Sequence, residues 1–530
     1  MDQPRTYPTA ISFRKAHDQI LFHLAYPANK KESEKAKLSI TQFSQQKIKH
    51  PYSQHSAGLA GSIITGSYSY ALVSWLNQRF PNDTEIESSG ADAELVRLLF
   101  RQILPRCEYE MISTGEMDLL QRIQLLKGNT PGSLLNWLLE QIAAADMTEQ
   151  AKETLFHSLQ IFIRCTITDP LLNVSMLKGP ATSVGFHRVI KKKVSIRSNA
   201  RKKLPAPKQL SLPEKQNLID TARATLFFLY RETEPFTYAD PKELVYFELE
   251  KGLGIALYGM IPERRLSIES YIGYLAFSNG IPVAYGGGWL FGKRSQFGIN
   301  ILPAFRGGAS ALLLAQLIRV YLQYYGAQKF VVKPYQFGFQ NPEAIRTGAF
   351  WFYYKAGFRP EVPEMNQLAK KEWEKIKKDR SYRTDAKTLK AFTSSALCLN
   401  LQADVFPDFD AAVISRKITE GIQENFLGDR KKAVLYSVAY LKKQCRGIDY
   451  KIKGSILQKV FEEWSLVAMM GLEMNTWTKK EKEGFIELIK LKAQAGEREF
   501  ILRLGNSPRR FFTARRVLWA ETQRAQRFNR

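Results

Sequence analysis

The residues whose types and spacing could carry chemistry lie between Arg294 and Pro360. At their centre is Arg306-Gly307-Gly308-Ala309-Ser310-Ala311, a run of mostly small residues between an apolar, β-branched segment and a helical one. Phe297 to Leu302 reads as a strand, which Pro303 ends because proline offers no ladder N–H. After the turn, Leu312, Leu313, Leu317, Val320 and Tyr324 recur at helical spacing, and Gly326 is placed to cap the helix end. The first N–H groups of such a helix have no partner within it. Together with the positive end of the helix dipole they form an anion site suited to a pyrophosphate, which small residues let approach the backbone. A glycine-rich turn taken alone is most often only a turn.

Stepping outward, Lys329 to Val332 reads as a second strand, so the unit is a strand–helix–strand crossover with parallel strands. Before it, Leu218 to Arg231 reads as a helix and Pro241 to Leu249 as another. Ser267 to Ser278 and Ile281 to Phe291 then form a hairpin about Asn279-Gly280, a type I′ signature. Gly286-Gly287-Gly288 sits inside the second hairpin strand, where glycine marks close approach of a ligand or of an overlying helix. Ala349, Tyr353 and Gly357-Phe358 close the stretch.

This order of segments resembles the GNAT superfamily of N-acetyltransferases over about residues 215–365. The family's acyl-CoA-binding motif is Arg/Gln-x-x-Gly-x-Gly/Ala. Arg306 and Ala311 match its ends, and Ala309 stands where glycine is usual. The later Asn, Ala and Tyr-x-x-x-Gly-Phe motif is similar to Ala349, Tyr353 and Gly357-Phe358. Arg346 occupies the asparagine position, and Asn341 lies five residues earlier. The resemblance implies an α/β (α+β) core with a mixed sheet, and acyl transfer, most simply of acetyl, from acetyl-CoA or another acyl-CoA to an amine. It places cofactor contacts at Ile299, Ile301 and Leu302, at Arg306, Gly307, Gly308, Ala309, Ser310 and Ala311, and at Asn341. It makes Tyr353 a donor to the CoA sulfur; its aromatic neighbours Phe350, Trp351, Phe352 and Tyr354 equally suit core packing. The reaction needs a base for the amine and stabilisation of the oxyanion. No histidine follows His187, so the base within the core is a carboxylate or water, with Glu269 and Glu248 as candidates.

The wider chain of 530 residues has room for two to four domains. Residues 1–187 read as a mainly helical N-terminal domain, with segments at 95–104, 119–126, 133–144 and 151–166; the run from Gly61 to Leu76 is strand or buried helix. A basic linker spans 188–212, the acyltransferase-like domain 213–365, and a helical, basic region 366–530, including helices over 386–403, 408–424, 429–445, 454–470 and 478–494. A formal charge of +26 favours polyanionic partners, such as nucleic acid, an acidic protein or an anionic membrane surface. The segments able to meet them are 188–208 and 503–530, where arginines alternate with Phe511, Phe512, Trp519 and Phe528. That charge keeps two alternatives open. One is aminoacyl or peptidyl transfer from charged tRNA on the same fold, the other a non-catalytic acyl-CoA- or nucleic-acid-binding scaffold.

Hydrophobic residues make up 45% and charged residues 24% of the chain, as in a folded protein. Four scattered cysteines and six histidines show no metal-site spacing, so no metal is expected. Without a signal-like N-terminus or a run of roughly 20 apolar residues, the expected location is cytoplasmic, with no transmembrane segment.

Overall fold

The computed structural model describes residues 10–45, 62–113, 117–168, 172, 174, 177–181, 183–190, 194–402, 411–494 and 496–507. The cluster Lys191 to Lys193 and the arginine and aromatic residues beyond Ser507 lie outside them. The protein is mixed α/β. Its larger sheet has eight strands, β4 (Val245–Glu248), β5 (Leu253–Tyr258), β6 (Ser270–Ser278), β7 (Ile281–Phe291), β8 (Arg294–Ile301), β9 (Lys329–Val332), β10 (Arg359–Pro360) and β11 (Leu397–Asn400). In space they run β10-β11-β9-β8-β7-β6-β5-β4. β4 to β8 form an antiparallel meander, β8 and β9 are parallel, and β11 is antiparallel to both β9 and β10. A separate antiparallel sheet orders β1 (Ile63–Gly66), β3 (Ile161–Thr166) and β2 (Thr84–Ser89) as β1-β3-β2.

Every residue of β6 is buried, because helices cover both faces of the meander. Side chains alternate between the faces as the two-residue period requires. Tyr274 and Ala276 join the core beneath helix Ser310–Tyr325, and Leu275 and Phe277 join the core beneath helix Leu212–Phe227. Asn279 and Gly280 both have positive φ, 49° and 79°, as the type I′ turn demands. The three adjacent glycines make room for tyrosines. A Cβ on Gly286 would lie 2.6 Å from Tyr274 Oη, one on Gly287 2.5 Å from the Tyr271 ring, and one on Gly288 2.5 Å from Tyr321 of the overlying helix.

Several segments differ from the reading by periodicity. Residues 241–249, expected to be helical, contain β4, so Glu248 lies on an edge strand; Val245 to Glu248 pairs with Gly254 to Leu257. The helix expected over 151–166 stops at Ser158. Gln160 takes φ +48°, and β3 follows with Ile161, Ile163 and Cys165 buried. Residues 1–187 therefore hold a three-stranded sheet as well as helices. The run from Gly61 to Leu76 is both alternatives in turn, β1 and then helix Tyr70–Arg79, whose first turn is capped by Ser69. Among the described residues of 386–403 only Ala386–Ala391 is α-helical, and Leu397 to Asn400 is drawn into the large sheet as β11.

The N-terminal helices Ala10–Ala25 and Lys30–Gln45 pack with the large-sheet core through Leu21, Leu24, Tyr26, Ala36 and Ile40. A second core, around the small sheet, includes Phe227 and Phe228 at the end of helix Leu212–Phe227. Among the described residues no helix is long and apolar enough to cross a membrane.

Candidate functional site

β8 and β9 are joined by three residue pairs, Arg294–Lys329, Ser295–Phe330 and Gln296–Val331. Beyond Gln296, β8 continues to Ile301 paired with β7 on one side, while β9 ends at Val332. From Phe297 to Ile301 β8 thus has no strand partner on the β9 side, because β9 ends one residue beyond the last pair. A crossover helix rather than a tight turn joins the two parallel strands.

The glycine-rich turn stands beyond this end of β8. Leu302 N–H donates to Val283 O at 3.0 Å, Pro303–Phe305 makes one 3₁₀ turn, and helix Ser310–Tyr325 begins after Ala309. Gly307 has φ +88° and is exposed, with no atom within 4 Å of where a Cβ would stand. Ala309 has φ −78°, a conformation any residue adopts, so alanine in the usual glycine position leaves the turn intact. No side chain caps the helix, and no described residue accepts from the N–H groups of Ser310, Ala311 or Leu312. These groups and the helix dipole suit an anion.

Tyr353, on helix Ala349–Lys355, is buried beside the end of β8 that lacks a β9 partner. Its hydroxyl lies 3.4 Å from Gln336 Oε1 and meets the Ile299 backbone. Burial raises its pKa well above the usual tyrosine value, outweighing the opposing effect of the Ile299 N–H, so the group holds its proton. Gln336 reaches the same place, since a Cβ on Gly298 would lie 3.0 Å from its Nε2.

Arg306 is exposed and forms an ion pair with Glu343, which Arg346 approaches at 3.9 Å. The Arg306 hydrogen bond, with smaller pulls from Arg346 and Arg231, holds the Glu343 carboxyl below its usual range. Arg231 also donates to Tyr285 Oη at 2.9 Å, on the sheet face opposite helix Ser310–Tyr325. Asn341 caps helix Pro342–Thr347 by accepting from Ala344 N–H at 3.2 Å, and it donates to Tyr335 O at 3.1 Å. Its side chain is thereby committed to the local turn.

The structure brings Ile299, Ile301, Leu302, Arg306, Gly307, Gly308, Ala309, Ser310, Ala311 and Tyr353 to one end of the β8–β9 crossover. It does not bring the two carboxylates there. Glu269 precedes Ser270, which pairs with Leu290 and through it with Ser295, at the end where β8 and β9 are still joined. The Glu269 carbonyl accepts from buried Lys492. Glu248 lies on β4, four strand spacings from β8, about 19 Å at about 4.8 Å each. Its carboxylate lies 3.9 Å from Lys208 Nζ.

Periodicity missed Gln336, and no local signal marks it. It also missed Tyr26, which reaches the turn from the N-terminal helix. His187 stands behind Tyr26, with ring centroids 5.2 Å apart, and its Nε2 is 3.2 Å from Lys251 O. Burial lowers the His187 pKa despite that bond. Comparison with protein-family models, with curated proteins and with solved structures yields no match to this chain.

Proposed function

We propose that this chain is a GNAT-type acyltransferase that moves an acyl group, most simply acetyl, from acyl-CoA to an amine. The observation that carries the proposal is the end of β8 left without a β9 partner, with an unpartnered helix N-terminus beyond it and a buried, neutral tyrosine beside it. The residues present fit an acyl-CoA, because Gly307 leaves open space before unpartnered N–H groups. When bound, the cofactor would supply an acyl group activated as a thioester.

The chain's own part is positioning and hydrogen-bond donation. The N–H groups of Ser310, Ala311 and Leu312 would hold the phosphates. The β8 backbone at Asn300 and Ile301 has no strand partner on the β9 side and would orient an extended arm, while the Ile299 N–H faces the Tyr353 hydroxyl. The Tyr353 O–H would donate a hydrogen bond to the departing thiolate, which takes its proton from water. Neither Glu248 nor Glu269 reaches this place, so water receives the proton of the amine in this scheme.

The test is thermal unfolding with and without acetyl-CoA. Wild type should melt higher with ligand, and Gly308→Glu should lose that shift, because its side chain displaces the Tyr26 ring that a Cβ there meets at 2.4 Å and sets a carboxylate in the turn. No shift in wild type at millimolar acetyl-CoA would sink the proposal. The charge of +26 favours a second reading, aminoacyl transfer from charged tRNA. Retention of tRNA without any response to CoA would select it.

A further inference from the structure

The anion turn has a back wall that comes from outside the strand–helix–strand unit. Tyr26, just past helix Ala10–Ala25, is 3% exposed and lies against Gly308, where a Cβ would stand 2.4 Å from its Cε2. Three bonds hold the segment in place. Ser278 Oγ and Asn279 Nδ2 donate to Ala25 O at 2.6 and 3.0 Å, and His187 N–H donates to Pro27 O at 2.7 Å. The ring packs edge-on against Phe305 and His187.

Its hydroxyl is buried and makes no hydrogen bond of good geometry. The Ala309 backbone N–H points toward its oxygen, which can accept from it, so what the hydroxyl lacks is an acceptor for its own proton. An O–H proton without an acceptor is therefore enclosed beside the unpartnered start of a 16-residue helix. A buried donor left unmade is costly, and an anionic oxygen reaching the turn would accept from it and from the helix N–H groups together.

We propose that Tyr26 is a phosphate-binding residue of this turn, its hydroxyl donating to an oxygen of a pyrophosphate-bearing ligand that enters past Gly307. The inference rests on the anion-binding part of the function proposed above. It ties the N-terminal helices to ligand binding, so the strand–helix–strand unit without them holds an incomplete site.

The test is calorimetric titration of the full chain with CoA and, separately, with inorganic pyrophosphate, for wild type and Tyr26→Phe, together with ligand-free melting curves. Tyr26→Phe should bind each ligand that wild type binds about tenfold more weakly, the loss of one hydrogen bond to a charged group. Its ligand-free melting temperature should change little, because the O–H proton removed has no acceptor within the described protein. Equal or tighter binding by Tyr26→Phe would overturn the role of Tyr26 and leave the acyl-CoA reading standing. Binding of pyrophosphate but not CoA, weakened in Tyr26→Phe, would uphold Tyr26 and sink the acyl-CoA reading. If wild type binds neither ligand, both fail. A ligand-free melting temperature lowered by several degrees in Tyr26→Phe would also overturn the inference, by showing that the hydroxyl has a partner within the protein.

Discussion

At the scale of single residues, Tyr353 and His187 show how burial sets protonation. Tyr353 is kept neutral by its surroundings, so at neutral pH it is a hydrogen-bond donor and not a phenolate. Removing its hydroxyl should lower turnover about 100-fold, the lower end of what one donor to a developing anion contributes. Steady-state thiol release from acetyl-CoA would measure this, with KM little changed in Tyr353→Phe. His187 makes a prediction about stability. Burial depresses its folded pKa below the unfolded value of about 6.5, so the unfolded chain takes up the proton first as pH falls. Stability is then retained above about pH 6.5 and drains as the solution is acidified, until the folded-state value is passed. Urea unfolding across that range should show the slope, and His187→Gln should flatten it.

Elements follow from short-range rules where neighbours in sequence decide the backbone, and depart from them where a distant partner does. Helix Leu212–Phe227 carries its own start signal, a capping box in which Ser211 and Glu214 satisfy each other's backbone. The hairpin at Asn279-Gly280 and the end of helix Ser310–Tyr325 at Gly326 are local in the same sense. β4 and β11 are not. Each is four residues long and becomes a strand because the sheet offers a partner, Gly254 to Leu257 in one case and β9 in the other. The glycines of β7 belong to packing between elements. Gly288→Ala would drive a Cβ into the Tyr321 ring and toward Ser295 Oγ, 2.8 Å away. That overpacking should cost about 1–3 kcal/mol in chemical denaturation, with the secondary structure retained in circular dichroism.

Across the whole molecule, remote segments converge on the large sheet. Helices Lys479–Gln494 and Glu497–Gly505 are joined to each other by a buried ion pair, Lys492 with Glu497 at 3.1 Å, both almost fully enclosed. Lys492 Nζ also donates to Glu269 O, and Glu497 N–H donates to Glu243, itself paired with Arg265. Lys492→Met would leave the Glu497 carboxylate buried without its cation and should cost about 3–5 kcal/mol in urea unfolding. Lys492→Met combined with Glu497→Gln should recover more than half of that loss, because the uncompensated charge is gone. Recovery of none of it would show that the lysine acts through packing alone.

The sequence by itself determined the crossover from β8 to β9, the glycine-rich turn and the I′ hairpin. Each of these depends on φ preferences, proline's missing N–H or a two- or 3.6-residue period, all of which act over a few neighbouring residues. Tertiary structure alone decided where β9 stops pairing with β8 and the placement of Tyr353, Gln336 and Tyr26 around that point. It also decided the removal of Glu248 and Glu269 from that place, and the choice of tyrosine packing as the reason for Gly286 to Gly288. Those outcomes depend on which surfaces meet across hundreds of residues, and the periodicity of a segment records only that it has a buried face, not what is buried against it.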